Sequence, residues 1–160
     1  SALQLATDAG DNEMIAKTLV NRSEVLIARD ALAEALDHCD RALQIYAEVG
    51  DEIGRGEALR WRAHAQSRAG QVSEAERSAA EAFQIAVRAG TRLLEAESAR
   101  DLGVLRGMLG DRAGASRLLR RALTLFVDLG ARREAADVEA LLARATPAGS
   151  LDAIDLDMES

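Results

Sequence analysis

Glycines at positions 10, 50, 90 and 130 stand 40 residues apart, and each closes the same phrase: ALQLATDAG, ALQIYAEVG, AFQIAVRAG and ALTLFVDLG. Ala2, Ala42, Ala82 and Ala122 open the phrase, and Leu3, Leu43, Phe83 and Leu123 follow them. Three positions after each alanine comes Leu5, Ile45, Ile85 or Leu125. A register kept through four copies demands one supersecondary unit, repeated and stacked. A second punctuation falls halfway, at Asp30, Gly70 and Gly110.

Each unit therefore divides into two helices of roughly 16–18 residues, about 25 Å long at the α-helical rise. Glycine is favoured just past a helix end, where the chain turns left-handed. Asp51 and Asp111 then stand as N-caps for the helices that follow. The pattern predicts helices over 2–9, 12–28, 31–48, 52–68, 72–88, 92–109, 112–129 and 132–145. Turns this short make neighbours antiparallel. A single pair cannot bury its apolar stripe, so the pairs must stack.

Composition agrees with this reading. Hydrophobic residues make up 48% of the chain but aromatics only 2%, and the single proline, Pro147, lies beyond the last predicted helix. Alanine and leucine are strong helix formers, and a strand-rich fold would want more β-branched and aromatic residues. The expected fold is all-α, a right-handed superhelical solenoid of antiparallel helix pairs. A repeat domain over 1–146 would hold a half-repeat at 1–10, repeats at 12–51, 52–91 and 92–131, and a capping helix at 132–145. An acidic tail, 147–160, follows. The first copy begins halfway through a second helix, which implies that a first helix and half of a second precede it in a longer parent protein.

Small residues recur inside the helices. Ser23, Ala63, Gly103 and Ala143 share one register on the first helix of each unit (helix A). Ala35, Ala75 and Ala115 share another on the second (helix B), seven residues before Ala42, Ala82 and Ala122. This spacing resembles the tetratricopeptide repeat, in its roughly 40-residue variety found in bacterial regulators and in Rap-, LGN- and kinesin-light-chain-type proteins. Arg22, Arg62, Gln66 and Arg106 depart from it, since the family usually places large apolar or aromatic residues there. HEAT repeats have a similar length, but no mark specific to them is present.

The resemblance implies a concave face lined by helix A, with ligand-contacting positions on both sides of its small residue. In the first full unit these are Lys17, Val20, Asn21 and Glu24. The second gives Glu57, Arg60, Trp61 and His64, and the third Glu97, Arg100, Asp101 and Val104. Arg60 and Arg100 hold equivalent registers and could grip a carboxylate or phosphorylated segment. Alternatively, each pairs with Glu57, Glu97 or Asp101 and only solvates the surface. Trp61, the one tryptophan, is either an exposed anchor for a partner or a filler between helices.

Little else suggests chemistry. His38 and Cys39 are adjacent, about 100° apart on a helix, and so form no dyad. Cys39 shares its register with Ala79 and Leu119, which marks a packed thiol. Two histidines and one cysteine without ligand spacing give no zinc site. GRGEAL, from Gly54, lacks both the third glycine and the preceding strand of a dinucleotide fingerprint. No catalytic residue and no cofactor is expected.

The net charge of −7 argues against a nucleic-acid partner, which needs a basic face. Asp152, Asp155, Asp157 and Glu159 place four of those charges in the tail, mixed with Leu151, Ile154, Leu156 and Met158. The tail is either solvated or docked in a basic groove, its own or a neighbour's. One cysteine and the lack of an ~18-residue apolar run point to a cytoplasmic chain with no membrane partner. The expected function is a non-catalytic protein- or peptide-binding scaffold from a bacterial regulatory protein. The alternatives are homo-oligomerisation through the open N-terminal helix face, or a sensor of small molecules or signalling peptides.

Overall fold

The computed structural model describes residues 1–145; the acidic tail at 147–160 lies outside them. Seven helices follow one another among the described residues: α1 (Ala2–Ala28), α2 (Leu32–Val49), α3 (Glu52–Arg68), α4 (Val72–Ala89), α5 (Arg92–Met108), α6 (Arg112–Asp128) and α7 (Arg132–Ala145). The punctuating residues make the turns. Asp30, Gly50, Gly70, Gly90, Gly110 and Gly130 all have positive φ, from 62° at Asp30 to 92° at Gly110. Asp30 is the one non-glycine among them, a residue type whose short polar side chain tolerates this region. Asp51 and Asp111 cap as expected, each accepting the amide three residues on, from Gly54 and Gly114, at 2.9 Å.

Gly10 breaks the pattern. The expected turn there is absent, and the two predicted helices 2–9 and 12–28 are one helix of 27 residues. The sequence of the turn is present, but the packing that would reward it is not. At Gly50 the helices on both sides lie against neighbours, whereas Leu3 and Leu5 are 80% and 72% exposed. Continuing the helix keeps its backbone hydrogen bonds, and an interior glycine costs only ~0.5–1 kcal/mol.

Each helix packs on the next, as short turns dictate. In addition α1 packs close to α3, α3 to α5 and α5 to α7, while the even-numbered helices meet only through long side chains, as where Arg121 of α6 lies 5.1 Å from the centre of the Phe83 ring of α4. The odd layer is therefore the crowded, inner side of a curved stack.

The core between layers is built on the recurring small residues. Ala35, Ala75, Ala115, Ala42, Ala82 and Ala122 are all buried, as are Ser23 and Ala63. A Cβ at Gly103 would lie 3.0 Å from Leu119 Cγ and 3.3 Å from the Ala115 carbonyl oxygen, so α5 and α6 approach there to near backbone contact. Ala143, at the same register, is instead exposed, because among the described residues no helix follows α7. Larger side chains fill the spaces the alanines leave. Leu59, Ile85, Phe126 and Val138 are almost wholly enclosed, and each such burial stabilises the fold by roughly 1.5–3 kcal/mol.

Polar residues at usually apolar registers are bound across the helix pairs. Arg62 donates to Ser78 Oγ and pairs with Asp40, both at 3.2 Å, and Ser78 donates to Gln66 at 2.8 Å. Arg106 pairs with Glu76 at 3.2 Å. Hydrogen-bonded side chains thus replace apolar contacts at these positions.

Candidate functional site: a groove along the inner helices

On the inner layer, Arg60 and His64 stand one turn apart on α3, facing Glu97 and Asp101, one turn apart on α5. Arg60 reaches both acids, Nη1 to Asp101 Oδ2 and Nη2 to Glu97 Oε2, each at 3.2 Å. His64 Nε2 lies 2.9 Å from the same Asp101 oxygen, and Arg100 Nε donates to Asp101 Oδ1 at 3.2 Å. The Arg60 guanidinium sits 4.9 Å from the centre of the Trp61 ring, a cation–π arrangement.

Asp101 is the hub, with only 9% of its side chain exposed. Burial on its own would raise its pKa. The His64 hydrogen bond and charge, with the Arg60 and Arg100 guanidiniums, outweigh that and hold the carboxyl well below the usual carboxylate range. Glu57 moves the other way. Desolvation lifts its pKa against the pull of Arg60, and the charge of Glu97 adds to the rise.

Arg60 and Arg100 are therefore already engaged by carboxylates of the chain itself. Trp61 is half-buried and packs against the clusters around Leu19 and Ile27, so it fills space between helices. Lys17, Asn21 and Glu24 are exposed on α1, with the charge of Lys17 acting on Glu57, and Val20 points into the core. The sequence-derived positions thus separate into a set on α3 and α5 that includes the ion pairs and an exposed set on α1.

Beside the cluster lies a cleft of about 190 Å³, lined by Ala63, His64, Ser67, Arg100, Asp101, Val104 and Leu105. A second cleft, of about 370 Å³, lies between α5 and α7. Gly103, Val104, Gly107, Leu141, Arg144 and Ala145 line it, each 40 residues beyond a lining residue of the first. Met108, Arg112, Ala115 and Leu119 complete it. Val104 borders both clefts, so they run on as one groove that changes character along its length. The first half is bordered by the ion-paired hub; the second carries two arginines and no carboxylate.

The remaining chemical candidates are structural. Gly54 and Gly56, from the GRGEAL stretch, are buried inside α3: a Cβ at Gly54 would strike the Tyr46 ring, and one at Gly56 would lie 2.9 Å from Leu94. Cys39 is enclosed, and burial raises its thiol pKa. Among the described residues no group of three or more His, Cys, Asp or Glu could hold a metal ion, and no helix is long and apolar enough to cross a membrane.

No protein-family profile matches the chain. No curated protein matches its sequence. Solved structures do match. The TPR domain of Arabidopsis FLU superposes with a TM-score of 0.63 at 15% identity, over 75% of this chain and 98% of that one. The apo form of RapI superposes with a TM-score of 0.68 at 18% identity, over 82% of this chain and 50% of that one. At such identities the likeness is one of fold.

Proposed function

We propose that this chain, a tetratricopeptide-like repeat array by fold, is a non-catalytic scaffold that holds a segment of a partner protein in the groove along its inner helices. The observation that carries this is the recurrence of the two clefts at equivalent registers, sharing Val104. A repeated groove takes an elongated ligand, because successive side chains meet equivalent sites. The ion-paired hub fixes the floor of the first cleft, and the exposed residues around it make the contacts. The buried, unpaired thiol of Cys39 agrees with a cytoplasmic setting.

The test is selection of binders from a random peptide library on the full chain, followed by mapping of amide-resonance shifts. Shifts at Ser67, Gly103, Val104 and Gly107 are expected, and Val104→Trp should abolish binding with helicity unchanged. Peptides that bind elsewhere, or as well to Val104→Trp, would overturn the groove assignment. Charge reversal at Arg60 is the poorer probe, since it would disrupt the hub as well as the surface.

A second reading, oligomerisation of a parent protein, is favoured by a difference between the ends. The N-terminal end exposes Leu3, Leu5, Met14 and Ile15. On α7 the exposed Glu139 occupies the register where α3 buries Leu59 and α5 buries Ala99. A charge there suits a closed end, while the apolar N-terminal end suits association. Sedimentation over a concentration series separates the readings: a monomer at every concentration removes the second.

A further inference from the structure

The second cleft differs from the first in charge. Its lining carries Arg112 and Arg144 and no carboxylate. Neither arginine has an ion-pair partner among the described residues. Asp111, the acid next to Arg112 in sequence, is taken up by the cap on Gly114 and by Arg106 at 3.7 Å. Between the arginines the surface is apolar, from Val104, Met108, Leu119 and Leu141, with the Gly103 and Gly107 backbone on the α5 side. Such a cleft asks for a ligand with apolar side chains and carboxylates, and without cations.

The chain supplies one. After Ala145, itself part of the lining, comes TPAGSLDAIDLDMES. From Ile154 onward apolar residues alternate with acids: Ile154, Leu156 and Met158 against Asp155, Asp157 and Glu159, with no lysine or arginine. In an extended strand this alternation puts the apolar side chains on one edge and the carboxylates on the other. Residues 146–150 separate Ala145 from Leu151 and span up to about 17 Å when extended. That is ample to turn back along a cleft whose α5 side, from Gly103 to Gly107, rises only ~6 Å.

We infer that residues 151–159 dock in the α5–α7 cleft of their own chain, their apolar edge on Met108, Leu119 and Leu141 and their carboxylates toward Arg112 and Arg144. This rests on the groove reading above and names the chemistry of its occupant. A short tether holds a segment at millimolar effective concentration, so even a weak site is filled. An outside partner must then displace the segment, and it competes best if it is itself acidic and apolar.

The experiment compares amide spectra of the isotopically labelled full chain with those of Ile154→Asp/Leu156→Asp, which leaves the helical array untouched. Docking predicts shifts confined to residues lining the cleft, above all the Gly103 and Gly107 amides, unchanged on tenfold dilution. Arg144→Glu, at an exposed position, should give the same shifts at Gly103 and Gly107. Identical spectra at those residues would overturn the proposal. So would differences that vanish on dilution, which would make the occupant another copy's segment. If the double variant leaves the cleft unchanged while library-selected peptides still shift Gly103, the tail assignment alone falls. If neither perturbs the cleft, the groove reading falls with it.

Discussion

His64 Nε2 lies 2.9 Å from Asp101 Oδ2, and the same oxygen takes Arg60 at 3.2 Å, so one buried carboxylate ties α3 to α5 through two side chains. Removing that carboxylate strands the cations around it. Asp101→Asn should cost about 3 kcal/mol, the low end for breaking a buried pair, because His64 and Arg100 keep some access to water. Chemical denaturation followed by the fluorescence of Trp61, the sole tryptophan, measures it. A loss below the error of that measurement would show that the hub is not holding the helices together.

Acid should erase the same contribution. The Asp101 pKa is depressed in the folded chain, whereas an unfolded aspartate titrates near 3.9. The unfolded state therefore takes up the proton at the higher pH. The stabilisation is complete above about pH 5 and drains away as the pH falls below about 4. Wild type and Asp101→Asn should thus differ above about pH 5 and converge on further acidification.

Tyr46 reports the opposite limb. Burial, with the charges of Asp51, Glu57 and Glu13, pushes its phenol up to about 12 from the ordinary 10. The neutral phenol is favoured by folding, so its contribution is full below pH 10 and lost as the pH rises toward 12. Tyr46 is the only tyrosine. Tyrosinate absorbance should therefore show a single step near 12 in the native chain and near 10 in denaturant. A native step near 10 would contradict the enclosed ring.

Ser98 is fully buried with no hydrogen-bond partner for its Oγ among the described residues, and the array places Ala58 and Val138, also fully buried, at the same register. Ser98→Ala should raise stability by about 1 kcal/mol, since an unsatisfied hydroxyl is removed and little packing is lost. A less stable variant would reveal a partner for that hydroxyl.

Ala75 packs among Ala63, Ala79, Leu102 and Leu105 with no exposed surface. Enlarging it to leucine should force the helices apart, costing roughly 1–3 kcal/mol. A neutral Ala75→Leu in thermal denaturation would mean that α3 and α4 are not in the register described.

The sequence made the helix pairs legible because their turns are made by glycine and aspartate at a fixed interval. It misled at Gly10, where the turn residues are present without the packing that makes a turn worthwhile. Burial, not local signal, decides such a case. The hub residues were all visible as groove positions, but their pairing depends on how α3 meets α5, which no single helix pattern encodes. The second cleft was illegible for the same kind of reason. Its lining comes from α5, α6 and α7, and only the packing of three helices brings Val104, Leu119 and Leu141 to one wall.

The wider spacing of the backbones of α2, α4 and α6 has a mechanical side. Only side-chain contacts such as Arg121 on Phe83 bridge the outer surface, so the stack behaves as a leaf spring whose stiffness resides mainly in the closer seams between α1, α3, α5 and α7. Whatever wedges into those seams sets the radius of the arc, and occupancy would be felt as a change of shape at both extremities.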